Sequence, residues 1–144
     1  MTCLGNSNFI TVSFFAHRYI DNMIFVEQKP EDIIKGFIRD FYYVNFPVER
    51  NSDFDQLVSS SIISSKKKTC SQNCCHICVL PYQTSDLTAN QMYYNAYYNS
   101  IEICPISARA YYYKQAISLR NRWMIDQTDA VICYVKNRAA HLTQ

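Results

Sequence analysis

Arg120 and Arg122 stand near the end of a helical run, and the residues after them form a polar joint, Gln127, Thr128 and Asp129. An apolar stretch follows from 130 to 135. Helix, joint and short apolar strand together are the pattern of a buried parallel strand. Cations late in a helix suit its dipole, so the plain reading of both arginines is a solvated helix face. The sharper reading is that they reach over the sheet to an anionic ligand. His17 and Arg18 form a second polar pair, directly after an apolar run. A phosphate-cradling loop normally needs glycine, because bare backbone must approach the ligand and adopt φ > 0. The chain holds only Gly5 and Gly36, where roughly ten glycines would be average.

Cys70, Cys74, Cys75, His76 and Cys78 lie close together, and a tetrahedral zinc site takes four such ligands. The spacing is not that of a paired knuckle, and the chain has no second cluster. Residues 76–80 also read as a strand, which would turn alternate side chains to opposite faces. The cysteines are therefore read as free core and loop thiols, and no metal or cofactor is expected. Lys66, Lys67 and Lys68 close a helix and are read as solvated, dipole-matched charges, so nucleic-acid contact is not expected. The aromatic cluster at 92–98 is of a kind that stacks on a base, but more commonly packs or forms an association surface. No P-loop, Ser-His-Asp or Cys-His signature appears in a fitting context.

Residues 9–15, rich in β-branched and aromatic types, predict the first strand. Pro30, Glu31 and Asp32 open a helix in which Ile33, Ile34, Phe37, Ile38 and Phe41 keep helical spacing. Residues 42–46 predict strand two, ended by Pro47. A second helix follows, with Phe54, Leu57, Val58 and Ile62 as its buried stripe. Strand three at 76–80 ends at Pro81 and Tyr82. A polar loop at 83–90, a short helix at 92–98 and a fourth strand at 101–104, stopped by Pro105, come next. A long helix at 108–124 leads to the last strand, and Tyr112, Ala116, Leu119 and Trp123 predict its core face. Strands alternating with helices give an α/β fold with a mainly parallel sheet.

At 144 residues the chain is long enough for one domain with a real core. Its 49% hydrophobic and 18% charged residues fit a globular protein rather than a disordered one. A net charge of +2 lacks the dense basic patch of a nucleic-acid binder. No apolar run approaches the roughly 20 residues of a membrane span, and the first residues lack the basic start and apolar core of a signal peptide. Seven cysteines, an odd number, argue against a secreted disulfide framework. A cytoplasmic location is expected.

The run Leu119-Arg-Asn-Arg-Trp-Met-Ile-Asp-Gln-Thr-Asp129 resembles the SLOG superfamily, the Rossmann-like group that includes DprA/Smf and the Lonely-guy proteins. The closer resemblance is to its small bacterial YpsA-like branch. It extends over about residues 9–137. Ala16, His17 and Arg18 fall where the family has Gly-His-Arg, and Leu80, Pro81 and Tyr82 match a strand-ending turn. Asp53, Phe54 and Asp55 keep the end of a glycine-containing turn, with Glu49 and Ser52 at its two glycine positions. After 135 the family continues through a glycine pair, a helix and a strand, so a fold truncated at the C-terminus is expected. The exposed sheet edge this leaves would favour a homodimer.

The resemblance implies a three-layer Rossmann-like sandwich. It also implies a non-enzymatic domain that binds or senses a nucleotide or nucleotide-derived ligand. The site would lie at the carboxyl ends of strands one, two and five, lined by His17, Arg18, Arg50, Asn51, Asp53, Arg120 and Arg122. Its arginines would meet phosphate through planar, bidentate contacts. Two alternatives stay open. One is a phosphoribohydrolase-type nucleotide hydrolase, whose relatives pair an arginine aligned with Arg120 with a glutamate beyond the glycine turn; no glutamate follows Val135. The other is a protein-interaction domain without a ligand.

Overall fold

Five short apolar segments need partners on both faces, and they find them in one sheet. A computed structural model describes residues 9–17, 29–50 and 52–135. The strands are β1 (Phe9–His17), β2 (Tyr43–Val48), β3 (Cys74–Leu80), β4 (Ser100–Ile103) and β5 (Ala130–Val135). Their order is β4-β3-β2-β1-β5, and every pairing is parallel.

The helices follow from this order. The chain steps outward from β1 to β4, and right-handed crossovers place the intervening helices on a single face. These helices are α1 (Pro30–Asp40), α2 (Asp53–Thr69), α3 (Ser85–Ala89) and α4 (Gln91–Tyr97). Val12, Phe14, Val44, Phe46, Val48, Cys74, Cys78 and Leu80 turn to that face and pack with Ile34, Ile38, Val58 and Ile62. The final crossover reverses direction, from β4 at one edge to β5 beyond β1. Its helix, α5 (Tyr113–Asp126), therefore lies on the opposite face, where Ala116 and Met124 are buried. The result is a three-layer Rossmann-like α/β sandwich. Among the described residues no helix is long and apolar enough to cross a membrane.

Local chemistry sets the element ends. Pro30, Glu31 and Asp32 occupy the first turn of α1, where a missing N–H costs nothing and carboxylates suit the dipole. A reciprocal capping box starts α2: the Asp55 N–H donates to Ser52 Oγ at 3.2 Å and the Ser52 N–H to Asp55 Oδ2 at 3.0 Å. The same helix ends at Cys70 in the left-handed conformation, φ 52° and ψ 37°, a position usually given to glycine.

Three expectations are revised. Strand two does not stop at Phe46 but runs through Pro47 to Val48. The Val44 N–H bonds the Asn73 carbonyl, on the β3 side, so by alternation the next position after Asn45 to face β1 is Pro47. It has no N–H to donate, and the β1–β2 register ends at Thr11 opposite Asn45. The polar loop at 83–90 contains α3, because the Leu87 N–H donates to Thr84 Oγ1 at 3.0 Å and caps a helical turn. The long helix at 108–124 is broken. A 3-10 turn at Ser107–Arg109 comes first, Gln115 Oε1 then takes the Tyr111 N–H at 2.8 Å, and α5 begins only at Tyr113. Its buried face is Ala116, Arg120 and Met124, and Tyr112 is exposed.

Candidate functional site

In open parallel sheets, ligands sit at the carboxyl ends of strands, near the point where strand order reverses. Here that point lies between β1 and β5, which stay in register to their last residues, His17 and Val135. The start of β5 is tied to β1 by hydrogen bonds. The Thr11 N–H donates to Asp129 Oδ2 at 2.9 Å, the Asp129 N–H to the Thr11 carbonyl at 2.8 Å, and Ser13 Oγ lies 2.6 Å from Thr128 Oγ1. The polar joint at 127–129 thus aligns the strand on which the switch point depends.

The sequence-predicted residues separate into several environments. Arg120 is fully buried beneath α5, and its Nη2 donates to Glu49 Oε1 at the end of β2. Its Nε and Nη2 also donate to Asn121 Oδ1 at 3.3 and 3.2 Å. Burial pushes the Glu49 carboxyl above the usual carboxylate range, against the pull of the Arg120 charge. Glu49 thus supplies Arg120 with an internal carboxylate. Arg122 is exposed on α5 and Asp53 is exposed in the first turn of α2. His17 closes β1, and its side chain lies outside the described residues, as do Arg18 and Asn51.

Arg50 stands elsewhere. It follows β2 at the carboxyl edge, and its guanidinium carbon lies 4.5 Å from the Tyr94 ring centroid, with Tyr93 at 5.7 Å and Tyr98 at 5.9 Å. Arg50 Nη1 donates to the Tyr98 hydroxyl at 3.1 Å. Burial works against its charge, but the Tyr98 bond and the neighbouring tyrosines raise its pKa above the ordinary arginine value. A guanidinium stacked on tyrosine gains about 0.5–2 kcal/mol and keeps its planar fork of donors oriented. No carboxylate among the described residues forms a salt bridge with it.

A cavity of about 160 Å³ opens beside Arg50 and is lined by Leu80, Pro81, Thr84, Asp86, Tyr94 and Tyr113 as well. Asp86 Oδ2 accepts the Tyr94 hydroxyl and Oδ1 accepts Asn90 Nδ2 at 2.8 Å. The Tyr94 bond holds the Asp86 carboxyl below its ordinary range. The wall therefore carries a cation, an anion, a hydroxyl and two apolar surfaces, enough to orient a small polar ligand with a flat apolar part. The aromatic run at 92–98 gave a sign of this in the sequence. Thr84, Asp86 and Tyr113 gave none, since only the fold brings them to Arg50.

The cysteine-rich segment lies in and before β3. Cys74, His76 and Cys78 share its core face by alternation, and Cys75 takes the other. Among the described residues no group of three His, Cys, Asp or Glu side chains is placed to hold a metal ion.

No family model, no curated protein and no solved structure matches the chain.

Proposed function

We propose that this protein is a non-enzymatic SLOG-like domain that binds a nucleotide or nucleotide-derived ligand at the carboxyl edge of its sheet. The supporting observation is Arg50, braced by Tyr94 and Tyr98 beside a cavity at the ends of β2 and β3. A planar guanidinium is suited to phosphate, and the exposed Tyr113 ring in the cavity wall is suited to a base. In this reading Arg50 takes the role that the resemblance gives to Arg120, whose charge is committed to Glu49. The reading does not extend to hydrolysis. Cleaving an N-glycosidic bond needs a carboxylate that reaches the sugar; Glu49 is engaged inside the fold, and Asp86, in the cavity wall, is held by the Tyr94 hydroxyl and Asn90.

A thermal melt of the purified chain with each common ribonucleoside monophosphate tests the proposal. A ligand that binds only the folded form raises the midpoint by mass action. The expected result is a rise with at least one nucleotide that is lost in Arg50→Ala, weakened in Arg50→Lys, and retained in Arg122→Ala. A cooperative melt that no nucleotide moves would overturn it.

A further inference from the structure

The cavity beside Arg50 is one of two that share a wall residue. A second, of about 280 Å³, is lined by Tyr82, Ser107, Ala110, Tyr111, Tyr112 and Tyr113, with Ala116 at its floor. Tyr113 belongs to both. Its ring meets Tyr82, a wall of the larger cavity, edge-on, with centroids 6.2 Å apart and planes at 69°, so the two cavities are neighbouring lobes that share Tyr113. Each lobe is smaller than the roughly 300–1,000 Å³ of a small-molecule site, and the two together fall within that range.

The walls of the larger lobe are unusual for a folded chain. Tyr111, Tyr112 and Tyr113 are 92%, 65% and 57% exposed, although tyrosine rings are large and ordinarily buried for the most part. The break between the 3-10 turn and α5 places them there. Gln115 holds the Tyr111 N–H, so the segment is fixed in a non-helical path while its rings face solvent. Exposed rings of this kind form a stacking platform, which accepts any base because every base has a flat π-face. The smaller lobe adds the cation Arg50, stacked on the buried Tyr94, and shares the exposed Tyr113 ring.

We infer that the two lobes form one site for a dinucleotide, with one base in each lobe and Arg50 as the contact for its phosphate. This deepens the nucleotide reading above and rests on it. Two neighbouring lobes that share Tyr113 favour two separate planar groups over one extended ring system. The small volumes of the two lobes, about 160 and 280 Å³, favour a dinucleotide over a long single strand.

Isothermal titration with ribonucleoside monophosphates and the matching phosphodiester-linked homodinucleotides separates the two claims. A second stacked base is expected to tighten binding by about tenfold or more over the mononucleotide. Tyr112→Ala, at an exposed side chain, is expected to remove that margin. A dinucleotide that binds no tighter than its mononucleotide overturns the two-lobed site and leaves the nucleotide reading standing. The same holds for a margin that survives in Tyr112→Ala. Binding seen only with longer oligonucleotides overturns it in favour of a single-strand surface. If no mononucleotide and no dinucleotide binds, both readings fall.

Discussion

His76 is buried on β3, with Nε2 2.9 Å from Ser59 Oγ and its ring 4.7 Å from that of Tyr98. Burial, helped by the nearby Lys66 charge, holds its pKa down to about 4 from an ordinary 6.5. The folded protein thus keeps it neutral where the unfolded chain would protonate it, and a depressed histidine contributes stability that is complete above pH 6.5. That stability is lost as the pH falls through 6.5 toward 4, by roughly 3 kcal/mol at about 1.4 kcal/mol per unit. Urea unfolding between pH 7 and pH 4.5 checks this above the range where most carboxylates titrate, and a flat stability there would count against it. The residue scale also shows where sequence reasoning stopped. The arginines were legible as candidate anion contacts, but nothing in their spacing tells which one meets an internal carboxylate. Glu49 and Arg120 are 71 positions apart, and their pairing follows from the strand order alone. The tyrosines around Arg50 are likewise about 45 positions away in sequence and are joined to it by packing.

At the level of elements, β-branched and aromatic runs and proline-marked helix starts were enough to place all five strands and most helices. The misplacements have specific causes. The helical pattern runs straight through 110–112 in the sequence because apolar spacing does not register a backbone that turns aside to bond Gln115. Pro47 has the sequence signature of a strand end, whereas it interrupts only one of the two ladders of β2. The end of α2 gives a sharper case, since Cys70 holds a left-handed conformation without being glycine. That conformation costs an L-residue roughly 1–2 kcal/mol, and glycine adds an unfolded-state entropy cost of roughly 0.5–1 kcal/mol. Cys70→Gly should therefore stabilise the fold by about 0.5–1 kcal/mol, read as a higher denaturant midpoint at unchanged slope. Cys70→Val should do the reverse, because β-branching strains the same conformation further.

Across the whole molecule, the sheet is built outward from β1 in one direction and extended on its other side by β5, the last strand among the described residues. Thr11 and Asp129, which exchange hydrogen bonds, are 118 positions apart. At about 5–20 residues per second, that separation takes roughly 6–24 s to synthesise. For that interval β1 has a neighbour on the β2 side only, and half of its ladder waits for a strand not yet made. Pairings this distant in sequence are slow to form, because loop closure precedes any gain from contact. Pulsed hydrogen exchange during refolding should therefore protect the amides of β2 and β3 before those of β5. Simultaneous protection of all three strands would contradict that order. During synthesis the growing chain carries β1 as an open sheet edge, and the hazard of edge-to-edge aggregation is greatest before β5 emerges.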